Sequence, residues 1–142
     1  MTHAKGRHAL RTFARSLAAG MAAVAAATVP AHAQNVTIGA LMPLTGALGE
    51  YGEHSLNGVK LAAEQINEAG GVLGREMNVA IGDTQTNPQA GVLAAKQLVA
   101  ANNVVGMVGA LASGVTIPVA RSVSSVSGIP QISSASTAPA IT

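Results

Sequence analysis

Three hydroxyl side chains, Ser113, Ser136 and Thr137, fall in two stretches, ALASGVT and SASTAP, built almost wholly from small residues. A hydroxyl beside free backbone amides suits the holding of a carboxylate. The amides of Gly114 and Val115 stand ready to join Ser113 in that task. The same residues have a plainer use, since Ser and Thr are ordinary helix N-caps. A third stretch, PLTGALGEYGEHS (residues 43–55), carries Tyr51, one of only two aromatics in 142 residues. A lone ring in a glycine-rich segment has little packing reason to be there. Its apolar body and polar tip suit a pocket wall. His54, beside Glu53, could act as a base, although a His at a helix start is far more often a solvated one.

Catalytic signatures are missing. The chain has no G-x-G-x-x-G, no G-K-S/T phosphate loop, no H-E-x-x-H and no G-x-S-x-G elbow. A hydrolase built on Ser113 or Ser136 would lack a placed base and acid. Beyond residue 33 the only histidine is His54, and one histidine makes no metal site. The expectation is a binding protein with no cofactor and no enzymatic activity.

The elements that must position these residues are readable from periodicity. Residues 35–42 form a mostly apolar run, as in a strand buried on both faces. From Ser55 the period changes: Leu56, Val59, Ala63 and Ile66 recur at helical steps. Ser55 is the expected N-cap, and Gly70-Gly71 the stop. Residues 76–83 read as a second strand. Asn87-Pro88 signals an N-cap followed by proline at the first helical position, and Asn102-Asn103 closes that helix. Residues 104–109 are a third strand, 115 to about 125 a third helix, and 131–134 a short fourth strand. Ala138-Pro139 is a candidate start for a fourth helix. The expected fold class is therefore α/β: a parallel sheet with flanking helices in the order β-α-β-α-β-α-β. All carboxyl ends of a parallel sheet share one edge, where open α/β sheets bind ligands. The loops carrying Tyr51, Ser113 and Thr137 all belong to that edge.

The first 33 residues have a different character. Lys5, Arg7, Arg11 and Arg15 precede an uncharged apolar run over residues 17–29, and Ala31-His32-Ala33 supplies a small-x-small triplet. This pattern is a secretory signal peptide over 1–33, cleaved after Ala33. The remaining 34–142 form one domain. There Lys60, Arg75, Lys96 and Arg121 face six acids, a net charge of −2. The basic character of the whole chain belongs to the signal, and no basic patch argues for nucleic acid. The chain has no cysteine, so neither a disulfide nor a lipid anchor on cysteine is available. A periplasmic location follows.

The stretch IGALMPLTGALGEYGEHSLNGVKLAAEQINEAGGVLGREMNV resembles the opening of the periplasmic branched-chain amino-acid-binding proteins. G-x-x-x-P-x-T-G, Y-G, N-G-x-x-L-A and I-N-x-x-G-G match in order and spacing, and DTQTNPQAG, VVGMVGALASGVTIPVA and GIPQISSASTAP continue the likeness to the end of the chain. The resemblance implies a type I periplasmic binding protein, with two lobes that close on a ligand and deliver it to an ABC permease. It implies that Ser113 and Thr137 hold the ligand's α-carboxylate, that the backbone at Ala135 contacts the ligand, and that Tyr51 lies against its side chain. Ser136 stays a candidate on its hydroxyl alone. Thr86 and Ala112 stand where some relatives carry a disulfide, and Ser134 where a proline is common; both changes imply a looser site. Members of the family are longer, so residues 34–142 are expected to be part of the first lobe, from a fragment or a truncated gene. The ligand expected is an amino acid or a similar small carboxylate or amide. A sensory extracellular module of a receptor and a non-functional remnant are the alternatives.

Overall fold

The computed structural model describes residues 34–141; the expected signal and its cleavage site lie outside them. Four parallel strands, β1 (Val36–Met42), β2 (Met77–Asp83), β3 (Gly106–Gly109) and β4 (Gln131–Ile132), form one sheet in the order β2-β1-β3-β4. Helix α1 (Gly49–Glu68) joins β1 to β2, α2 (Pro88–Asn102) joins β2 to β3, and α3 (Ser113–Val119) leads towards β4. The expected β-α alternation and parallel pairing are both present.

The two faces of the sheet are covered unequally. On one face Leu41 and Met107 pack with Ala94, Ala95 and Leu98 of α2 and with Val115 and Val119 of α3. On the other, Ala40 and Met42 meet Leu56 of α1, with Val59, Val79 and Val108 at the margin. Two helices therefore serve one face and a single helix the other. Beside α1 lies an apolar groove of about 540 Å³, lined by Ile38, Val59, Ile66, Val79, Val108 and Ser134 among others.

Local sequence accounts for most boundaries. The Asn87 side chain accepts the Ala90 amide at 3.0 Å, Pro88 opens α2, and Asn103 ends it in the left-handed conformation. Pro118 inside α3 leaves the Gly114 carbonyl without its usual donor. Directly after α3 the chain makes a π-helical turn (Ala120–Ser124) and one last α-turn (Ser125–Ser127). Strand β3 begins at Gly106, not at 104, and β4 is two residues long instead of four. The expected fourth helix is a 3-10 turn (Pro139–Ile141).

The start of α1 differs most from expectation. The helix begins at Gly49, after Leu48, six residues before Ser55. Ser55 is not an N-cap: its hydroxyl donates to the Tyr51 carbonyl one turn back, at 2.8 Å. Tyr51 thus belongs to the first turn of a helix and not to a loop. Gly52, which read as a loop residue, is needed for close approach. A Cβ on Gly52 would overlap the Pro43 carbonyl, 2.5 Å from its carbon, so only glycine lets this turn sit on the end of β1.

Candidate functional site

Strand order sets the site. The chain leaves β1 towards β2 on one side and returns past β1 to β3 on the other. Connections after β1 and β3 therefore run to opposite faces, and their loops part at the carboxyl edge. This is a topological switch point, the usual ligand crevice of an open α/β sheet. The β1–α1 connection, with Tyr51 in the first turn of α1, flanks it on one side, and the β3–α3 connection, with Ser113 opening α3, on the other.

The β3 and β4 loops are fastened to each other. Ser113 Oγ accepts the backbone amides of Thr137 at 3.1 Å and Ala138 at 3.2 Å. Ser113 is the first residue of α3, and Ala112 holds the N-cap place without a side-chain cap bond. The ordinary capping role of a serine therefore does not account for Ser113. Its oxygen is occupied as an acceptor, and among the described residues its own proton has no acceptor. Two N–H donors to an oxygen polarise its O–H, which makes the hydroxyl a better donor to an anion. Thr137 is exposed, and its hydroxyl has no hydrogen-bond partner among the described residues. Both hydroxyls can donate.

Ser136 faces inward. Its hydroxyl lies 2.7 Å from Thr116 Oγ1 and 2.7 Å from Ser133 Oγ, and donates to the Leu111 carbonyl at 3.1 Å. Thr116 Oγ1 and Ser133 Oγ also lie 2.9 and 2.6 Å from the Ala110 carbonyl, and each shares its single proton between that carbonyl and Ser136. This half-buried network satisfies the carbonyls at the end of β3 and fixes the tail beneath Ala135 and Thr137. Ala135 itself is exposed. Ser133 and Thr116 drew no notice in the sequence, because the partners that join the two loops are distant: Ala110 lies 23 residues before Ser133, and Ser136 lies 20 residues after Thr116.

The first loop is fastened as well, by residues the sequence reading passed over. Asp83, the last residue of β2, accepts the Leu44 amide at 2.9 Å, the Gln85 amide at 2.8 Å and the Thr45 hydroxyl at 2.7 Å, with the Thr45 amide at 3.3 Å. Partial burial pushes its carboxyl up. The Thr45 hydroxyl and the amides of Gln85, Leu44 and Thr45 outweigh that effect and hold it below the usual 3.8. Thr86 Oγ1 accepts the Leu48 amide at 3.1 Å, so Thr86, standing by resemblance where some relatives carry a disulfide, ties the second loop to the first. An Asp closing a strand, with an amide two residues on, is an Asx-turn signal that could have drawn attention to Asp83.

Tyr51 is 64% exposed. Its turn lies at the same sheet edge, while neither Tyr51 nor Ser113 nor Thr137 lines the groove beside α1. His54 is exposed and lies 4.0 Å from Glu50, not against Glu53. This is the solvated arrangement, with no substrate-facing partner. Among the described residues no cluster could hold a metal, and no helix is long and apolar enough to cross a membrane.

The fold is thus an open parallel α/β sheet with hydroxyl donors and an exposed ring in the connections at its carboxyl edge. Residues 35–142 match the family model described as periplasmic binding protein, and the chain belongs to that family. A Leu/Ile/Val-binding protein of Rhizobium johnstonii is 36% identical over 128 residues, 90% of this chain and 34% of the relative. A Leu/Ile/Val-binding protein homologue of Brucella abortus is 35% identical over 126 residues, 89% of this chain and 31% of the relative. Among solved structures, the branched-chain amino-acid transporter substrate-binding protein of Streptococcus pneumoniae, in complex with isoleucine, superposes with a TM-score of 0.71 at 28% identity. That superposition covers 75% of this chain and 30% of that one. A putative branched-chain amino-acid ABC transporter protein from Rhodospirillum rubrum gives 0.69 at 30% identity, covering 74% and 30%. The chain spans about a third of the length of the curated relatives it matches.

Proposed function

We propose that residues 34–142 are part of the first lobe of an extracytoplasmic substrate-binding component of an ABC importer for branched-chain or similar amino acids, exported by the signal at 1–33. The protein is a carrier without catalytic activity, and its partners are the ligand and a membrane permease engaged once a second lobe is present. Ser113 and Thr137 donate to the ligand's α-carboxylate, the exposed backbone at Ala135 meets its polar end, and Tyr51 lies along its apolar side chain. Ser136 supports this edge from beneath through its bonds to Ser133, Thr116 and the Leu111 carbonyl.

The single observation that carries the reading is the Ser113 hydroxyl. It receives two amides from the tail, and among the described residues its own proton has no acceptor. A carboxylate there would meet two O–H donors, and charge-assisted bonds of this kind are the strong ones; the Val115 amide, expected to be free, is instead given to the Ala112 carbonyl at 2.9 Å. Names of relatives that bind Leu, Ile and Val support an apolar amino acid as the ligand.

Calorimetric titration of the complete gene product with leucine and with isopentylamine, which is leucine without its carboxylate, tests this. Leucine should bind at least about tenfold more tightly, since losing charged hydrogen bonds removes about 1.5–3 kcal/mol. Equal affinity for the two compounds would sink the carboxylate reading.

A further inference from the structure

The ligand reading assigns nothing to the second βα loop, yet that loop is bound to the first more densely than any ligand role would require. The Asp83 carboxylate gathers the Leu44, Thr45 and Gln85 amides and the Thr45 hydroxyl, and Thr86 takes the Leu48 amide. The backbones also touch. A Cβ on Gly46, whose φ is +84°, would strike the Gln85 carbonyl, 3.0 Å from its carbon. Gln85 and Thr86 are held at φ of 52° and 54°, a left-handed conformation that non-glycine residues adopt only when their surroundings impose it. Three hydrogen bonds hold the segment there: the Gln85 amide to Asp83, the Leu48 amide to Thr86 Oγ1, and the Asn87 amide to the Thr84 carbonyl at 2.8 Å.

From Leu48 the path to Tyr51 is short. Leu48 precedes α1, its carbonyl accepts the Gly52 amide at 2.9 Å, and Gly52 rests on Pro43. The ring of Tyr51 is mostly in solvent, so backbone placement does more than packing to aim it. We infer that Asp83 is a positioning residue for ligand recognition: by tying residues 44–45 to the end of β2 it fixes the first turn of α1, and through that turn the Tyr51 ring at the ligand edge. This inference rests on the proposed role of Tyr51.

Two measurements test it. Tyr51 is the only Tyr or Trp in the 142-residue chain, so tyrosine fluorescence anisotropy reports that ring alone. Asp83→Ala should lower the anisotropy while far-UV circular dichroism stays unchanged, and Asp83→Asn, which keeps one carbonyl acceptor, should lower it less. Where Asp83→Ala fails to fold, Asp83→Asn and Thr45→Val carry the same comparison. In the complete gene product, Asp83→Ala should weaken leucine about tenfold and alanine less than about twofold, with no further loss when Tyr51→Ala is already present. A merely structural role would weaken both ligands alike and would add to Tyr51→Ala. Unchanged anisotropy overturns the proposal, and so does unchanged leucine affinity in a background where Tyr51→Ala does weaken binding. If Tyr51→Ala leaves leucine affinity unchanged, the ligand role of Tyr51 fails and the recognition role of Asp83 with it, while the anisotropy still reads whether Asp83 holds the turn.

Discussion

Gly52 and Gly58 lie on the same helix, and the structure demands opposite responses to the same substitution. In the interior of a helix Ala is favoured over Gly by about 1 kcal/mol. At Gly58 an added Cβ meets nothing within 4 Å, so Gly58→Ala should stabilise by about 0.5–1 kcal/mol. At Gly52 the same Cβ would overlap the Pro43 carbonyl, a backbone group that cannot swing aside as a flexible side chain would. Overpacking of this kind costs about 1–3 kcal/mol or more. Set against the propensity gain, Gly52→Ala should destabilise by about 1–2 kcal/mol. The two variants should therefore differ by about 1.5–3 kcal/mol, which is about 6 °C or more in Tm for a domain of about 100 residues. Urea and thermal unfolding followed by circular dichroism read this directly. If α1 began at Ser55, Gly52 would lie in a solvated loop and its substitution would be nearly neutral. Similar stabilities for the two variants would refute both the early start of α1 and the seating of its first turn on Pro43.

The Asp83 carboxyl sits below its ordinary value in the folded chain, so the unfolded chain binds its proton more readily and stability rises with pH. Its contribution is complete above the unfolded value of about 3.9 and is lost as pH falls through the lower folded value. The stability gap between wild type and Asp83→Asn should therefore be full near neutral pH, begin to narrow below about pH 4 and go on narrowing through the lower folded value; a gap independent of pH would contradict the hydrogen-bond assignment. Ile132, paired with Val108 on the face that only α1 serves, is 70% exposed. With a sheet edge and this apolar strip open, the 34–142 chain should self-associate, and Ile132→Lys should lower the associated fraction by about half or more in sedimentation velocity; an unchanged profile would place the sticky surface elsewhere. Mass spectrometry of protein recovered from an exporting cell should find Gln34 at the N-terminus, and a full-length cytoplasmic product would end the export reading.

What the sequence disclosed was whatever local chemistry decides. The Asn87-Pro88 start and Asn103 stop of α2 follow from capping and backbone preference within a few residues, and they stand where expected. The start of α1 was hidden because Gly49 and Gly52 carry loop signals, whereas Gly52 is required by contact with Pro43, nine residues earlier. Tyr51 was placed in the right connection and the wrong conformation for the same reason. The hydroxyls of Ser113 and Ser136 were picked out by type, but their partners are not local: Ser113 answers to amides 24 and 25 residues later, Ser136 to a carbonyl 25 residues earlier. Asp83 was missed since the residues it organises lie 38 and 39 positions away, and a hydrogen bond across that distance leaves no period in the sequence.

The central claim is that the carboxyl edge between Ser113 and Tyr51 receives an amino acid by its carboxylate. A crystal structure of the complete gene product grown with leucine tests it most directly. Carboxylate oxygens should lie at hydrogen-bond distance, about 2.6–3.0 Å, from Ser113 Oγ and Thr137 Oγ1, with the isobutyl group against Tyr51. Leucine found instead in the groove between α1 and Val108, or held at the edge without either hydroxyl, would contradict it.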